Sequence, residues 1–185
     1  MEIPQSWRDA LLRLHANGFP EAIIGGGALR DLDHGVEIKD VDFFVMEKPT
    51  TKDALDAAFG RKGRTLVSSA ASRYLGFEDD VYMVVDYANE GAPPFQVIAQ
   101  RNVVPDYSFL EYQIERFDLG LCRIVYDGIS VIAHSTYHAD KAAKVLRIRD
   151  PRRIPRSITR AERIGAKYPG YSIVVPDEAG DVFTP

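Results

Sequence analysis

The chain has 185 residues, 45% of them apolar and 27% charged, with a net charge of −4. Such a chain can bury one core with a small appendage, which excludes a disordered segment or a fibre. No apolar run nears the ~20 residues of a membrane span, the first residues lack the basic-then-apolar order of a secretory signal, and Cys122 is the only cysteine, so the chain reads as cytoplasmic with no membrane partner.

In chain order, residues 6–16 place Trp7, Leu11 and Leu14 at helical spacing, between Ser6 as a cap and Gly18 as a stop. "EAIIG" (21–25) is a short strand that runs into three glycines. "GALRDLDHG" (27–35) is a short helix ended by Gly35, and "DVDFFVM" (40–46) is a strand covered on both faces. Residues 50–60 form a helix closed by Gly60. The chain then turns to β at 64–69, 81–87 and 95–100, and the last two flank the turn-rich "ANEGAPP" as a hairpin. Residues 108–117 are helical, and 118–133 read as two strands around Asp127-Gly128. Two basic helices follow, at 138–146 and 156–168, and 169–185 read as a loosely held tail. The order predicts an α/β (α+β) domain with a mixed sheet over 1–135, carrying a basic helical extension over 136–185.

Charge is unevenly placed. Between Lys141 and Lys167 there are ten Lys/Arg against Asp150 and Glu162, a net +8, which leaves −12 elsewhere. An acidic body with a basic end suits a protein that meets phosphate at one edge rather than a general DNA binder. Arg153, Arg156 and Arg160 are candidate RNA or phosphate contacts; the alternative is a solvated helix face.

The chemistry concentrates in "GGGALRDLDHGVEIKDVDFFV" (25–45). A glycine turn ahead of a helix lets backbone N–H groups approach an anion, and the helix dipole adds to the attraction. Gly25, Gly26 and Gly27 fit that role; they also fit a tight turn that simply needs glycine. Asp40 and Asp42 are two apart on a strand, so both face one side while Val41 enters the core. Two carboxylates that close repel unless a cation lies between them. Mg²⁺, or Mn²⁺, is the hard oxygen-seeking ion that such a pair plus substrate phosphates would hold. The plainer alternative is a polar strand start in water. Phosphate donors and a metal pair on one edge are the equipment for nucleotidyl transfer.

The motif "GGGALRD" followed by "DVDFFV" resembles motif A of the DNA polymerase beta-like nucleotidyltransferase superfamily. It is closest in pattern to the head domain of class II CCA-adding enzymes and bacterial poly(A) polymerases. "RFDLGLCRI" (116–124) is similar to that family's R-R-D-F-T-I-N-A segment, and to an F-D-F-T-V-C pattern of small phage nucleotidyltransferase-like proteins. "SITRAERIGAKYPGYSI" (157–173) resembles the helix that ends those small proteins. The resemblance implies a mixed-sheet nucleotidyltransferase fold and transfer of a nucleoside monophosphate from an NTP to a hydroxyl, with an RNA 3′ end favoured over a protein side chain. By it, Asp40 and Asp42 are metal ligands, Gly25, Gly26 and Gly27 hold the triphosphate, and Arg30 and Arg116 contact the nucleotide.

Two departures stand out. Where the superfamily carries a third carboxylate, the matching strand "FQVIA" offers Gln96, so Asp118 or Asp86 is the substitute, and Asp118 is taken as the third catalytic residue. The Thr and Asn of the second motif are Gly120 and Cys122. The rival reading is a pseudoenzyme that binds nucleotide or RNA. A dinucleotide-binding turn is disfavoured, since Arg30 stands where the third glycine of that fingerprint belongs. His134 and His138, at i and i+4, are weighed as metal ligands and set aside.

Overall fold

The computed structural model describes residues 1–68, 81–101, 107–149 and 154–176. Among them, six helices flank a seven-stranded sheet and a separate two-stranded one. Helix α1 (Gln5–Ala16) buries Trp7, Ala10, Leu11 and Leu14, the stripe that the spacing predicts. Strand β1 (Ile23–Gly25) leads through the glycine turn into α2 (Gly27–His34), and Gly35 ends that helix with a left-handed φ of 65°. Strand β2 (Val41–Met46) buries Val41, Phe43, Phe44 and Val45, so it lies at the centre of the sheet. Helix α3 (Thr51–Phe59) follows, then β3 (Arg64–Ser68), β4 (Val81–Tyr87) and β5 (Phe95–Gln100).

The sheet order is β3-β4-β5-β2-β1, extended by β6 (Ile124–Tyr126) and β7 (Val131–Ala133). Only β2 and β5 run parallel; the other neighbours are antiparallel, including the predicted β4–β5 hairpin. Phe43, Phe59, Phe95 and Tyr87 form one aromatic cluster beneath the sheet, with Phe59 stacked on Tyr87 at 4.2 Å. Helix α4 (Phe109–Arg116) starts from a capping box of Ser108 and Glu111.

Two segments differ from the sequence expectation. Residues 118–122 are not a strand: a 3₁₀ turn at Gly120–Cys122 follows Asp118, and β6 begins only at Ile124. Leu119, Gly120, Leu121 and Cys122 are all buried, and a fully buried apolar run carries no period that separates strand from turn. The second segment is the tail. Helix α5 (Ser135–Ala143) ends at Lys144, and β8 (Val145–Arg147) then pairs in parallel with β9 (Ser172–Val174). Helix α6 (Ile154–Gly165) connects them. Residues 172–174 of the expected tail are therefore held by backbone pairing, and 177–185 lie outside the described residues. Tyr137, Leu146, Ile148, Ala161, Ile164 and Tyr168 belong to the same hydrophobic cluster as the sheet.

Candidate active site

Asp42 is the second residue of β2, and the N–H of Val41 before it donates to the Pro94 carbonyl at 3.0 Å. That bond fixes the start of the strand with Val41 fully buried. Burial and the charge of Asp40 push the Asp42 carboxyl up to about 7, against the pull of Arg160, Arg30 and Lys39. Asp40 stands two residues before Asp42, just ahead of the strand, and its charge disfavours a second one at Asp42. Asp40 is 30% exposed, and Lys39 lies 3.7 Å from it.

The register extends this site sideways. Asp42 pairs with Gln96 on β5, and Gln96 pairs with Asp86 on β4. Cross-strand neighbours share a face, so one row reads carboxylate, amide, carboxylate. Asp86 takes an ion pair from Arg64 at 3.3 Å on one oxygen, and its other oxygen is buried without a partner among the described residues.

On the other side of Asp42 stands the glycine turn. The pairing Ile24↔Phe43, carried one residue further, sets Gly25 beside Asp42. Gly26 has φ 71° and ψ −123°, a conformation that side chains disfavour, and its N–H donates to the Ile124 carbonyl at 2.9 Å. A Cβ on Gly25 or Gly26 would stand 2.9 or 3.0 Å from the Phe117 ring, which packs edge-on against Phe44. The first two glycines are thus demanded by an aromatic ring as well as by the turn. At Gly27 only the Arg30 guanidinium is near, at 3.7 Å. No side chain caps α2, and the helix starts directly from the glycine turn beside Asp42.

Arg30 is only 4% exposed. It donates to Asp31 at 2.8 Å, to the Tyr168 hydroxyl at 3.1 Å and to the Cys122 sulfur at 3.0 Å. Burial works against its charge, and Cys122, Asp31 and Tyr168 more than offset that, so the guanidinium stays protonated far above its ordinary range. Asp31 also holds Lys167 at 3.0 Å and the Tyr168 hydroxyl at 2.5 Å. The pair braces α2 to the residues after α6.

Asp118 lies just before the 3₁₀ turn and accepts from Ser157 and from Arg160, each at 2.9 Å. Arg160 is 34% exposed. Its charge is opposed by burial and reinforced by Cys122, Asp118 and Asp42, with a net upward shift. Arg116, at the end of α4, donates to the Tyr112 hydroxyl at 2.9 Å and lies over that ring. Arg156 is exposed on α6. Arg153 lies outside the described residues.

Asp40, Asp42, the glycine turn, Arg30, Asp118 and Arg160 thus form one connected neighbourhood. Sequence reasoning missed Ser157, Lys167 and Tyr168. The signal for Ser157 was its i, i+3 spacing to Arg160, which sets both on one face of a helix. Among the described residues, no three His, Cys, Asp or Glu gather in a way that could hold a metal. The carboxylate oxygens of Asp40 and Asp42 and the amide oxygen of Gln96 fit a hard divalent ion in kind, and the set has one carboxylate fewer than a three-carboxylate site.

No protein-family model matches the chain, and no curated protein matches it. Solved structures do. A tRNA-processing enzyme in its apo form superposes with a TM-score of 0.64 at 19% identity, over 94% of this chain and 45% of that one. The Bacillus stearothermophilus CCA-adding enzyme in complex with CTP gives 0.62 at 19% identity, over 94% and 42%. The Thermotoga maritima CCA-adding enzyme complexed with tRNA gives 0.63 at 16% identity, over 94% and 39%. The chain therefore shares its fold with part of these enzymes, the nucleotidyltransferase fold. It spans less than half the length of each of these proteins.

Proposed function

We propose that this domain transfers a nucleoside monophosphate from an NTP to an acceptor hydroxyl and releases pyrophosphate. The observation that carries the reading is the shared sheet edge: Asp40 and Asp42 at the start of β2, beside the uncapped N-terminus of α2. The acceptor oxygen forms a bond to the α-phosphorus, the bond from that phosphorus to the β-bridging oxygen breaks, and the hydroxyl proton passes to solvent. The α2 N–H groups hold the triphosphate, the buried Arg30 charge adds to their attraction, and Arg116 contacts the nucleotide from the end of α4. Asp40 and Asp42 would hold Mg²⁺ or Mn²⁺, which when bound activates the attacking oxygen and neutralises the phosphates. An RNA 3′ end is the favoured acceptor, in view of the basic α6, and a protein side chain is second.

The test is incubation with each labelled NTP, Mg²⁺ or Mn²⁺, and total RNA or protein. Label on RNA that Asp42→Ala abolishes is the expected result. A second reading, nucleotide binding without turnover, has a specific observation behind it: Gln96 occupies the register position beside Asp42, and the Asp118 carboxylate is closed by two donors. Mg²⁺-dependent NTP binding without transfer to any acceptor would select it.

A further inference from the structure

Gln96, the strand residue beside Asp42, is neutral, and the Asp118 carboxylate is engaged on both oxygens, by Ser157 on one and Arg160 on the other. What the fold brings to Asp42 in place of a third carboxylate is a cation. Asp118 follows Phe117, whose ring stands 2.9 Å from where a Cβ on Gly25 would lie, and Gly25 neighbours Asp42 in the register, so the Asp118–Arg160 pair flanks the aspartates. Ser157 and Arg160 lie on one face of α6 and fasten to the same carboxylate, so the guanidinium is fixed in place. Among the described residues, its one hydrogen bond is from Nη1 to Asp118, and a third of the side chain stays open. A guanidinium has five donors, and its planar fork suits phosphate oxygens.

We propose that Arg160 is the resident second cation of this site. Asp40 and Asp42 take a single divalent ion, and Arg160 meets the triphosphate where a second ion would need a third carboxylate. Asp118 and Ser157 are positioning residues for it. A cation carried on the chain needs no further anionic ligand, which is why Gln96 suffices beside Asp42. This inference rests on the reading of the site as an NTP site.

The test is a Mn²⁺ titration followed by electron paramagnetic resonance, with a saturating non-hydrolysable NTP and a protein-free nucleotide control. One ion per wild-type chain is expected, and two would overturn the proposal while leaving the NTP site intact. No Mn²⁺ and no NTP bound would instead overturn the NTP reading, and this inference with it. Arg160→Gln should weaken NTP binding about ten- to hundredfold, the range for removing a charge-assisted hydrogen bond to phosphate. Arg160→Lys should recover part of that loss, and Asp118→Asn, which keeps the cation and loosens its aim, should weaken binding less than Arg160→Gln. Unchanged NTP affinity in Arg160→Gln would overturn the proposal. The wild-type ion count decides by itself if the variants do not fold.

Discussion

Asp42 carries its charge where two influences resist it, burial and the carboxylate of Asp40. Replacing it with Asn keeps the shape and removes the repulsion. Asp42→Asn should therefore be more stable than wild type by about 1 kcal/mol near pH 8, read by thermal melting, since relieving an unfavourable charge opens no cavity. The same protein should lose the stabilisation that wild type gains from Mg²⁺ with NTP; a variant still stabilised by that pair would place the ion elsewhere. Gly25 behaves in the opposite way. A Cβ there meets Phe117, Phe44 and Val125, so Gly25→Ala should cost about 1–3 kcal/mol, the usual range for overpacking. Much of that cost should vanish when Phe117 is first replaced by Leu, in a double-mutant cycle. Additive losses would show that the ring is not what excludes the side chain. The strand that carries Asp42 was readable from the apolar run that follows it, although it begins at Val41 and leaves Asp40 just outside. The reason for Gly25 was not readable, because Phe117 lies 92 residues away in the sequence.

A single carboxylate on helix α3 gathers three donors, one of them from the sheet. Asp56 accepts from the Gly63 N–H at 2.9 Å, from Lys52 at 2.5 Å and from the Tyr87 hydroxyl at 2.8 Å. Burial raises its pKa, but these donors outweigh burial and the net shift is downward. A carboxyl with a folded pKa below its unfolded one adds stability above the unfolded value and loses it as pH falls through the folded one. Asp56→Asn should thus be about 1–2 kcal/mol less stable at pH 7, and the deficit should shrink as pH falls below the ordinary carboxylate value of 3.8. Denaturant midpoints at pH 7 and pH 3 check this, and a deficit that stays constant would refute it. The helix itself was plain in the sequence from its spacing and Gly60. Strands β8 and β9 were not, because each is only three residues long and the second shows no alternation of buried and exposed positions. Their pairing depends on α6 bringing two distant segments together, which no local pattern records.

Considered as one molecule, the chain spends much of its basic end on its own acids. Lys141 pairs with Asp33, Arg147 and Arg149 with the buried Asp140, Arg160 with Asp118, and Lys167 with Asp31. The net +8 of residues 141–167 was visible in the sequence, but a count of charges names no partners. Lys141, Arg160 and Lys167 tie the C-terminal segment to α2 and to Asp118, Arg147 and Arg149 pair within it, and all five cancel part of the field that the count suggested. Arg153 and Arg156 are the residues on which RNA binding is tested, with Arg156 exposed on α6. For a single strand, each phosphate that is no longer neutralised should flatten the dependence of log affinity on log salt by about 0.7. Replacing both by Gln should therefore lower the slope for single-stranded RNA by about 1.4, with affinity falling similarly across sequences. Arg147→Gln is the informative control. Its guanidinium faces Asp140 at 3.4 Å, so its loss should lower the melting temperature and leave the slope alone. A slope unchanged by the double replacement would rule out phosphate contacts by Arg153 and Arg156. A slope that falls equally in Arg147→Gln would mean that RNA binding follows net charge rather than this surface.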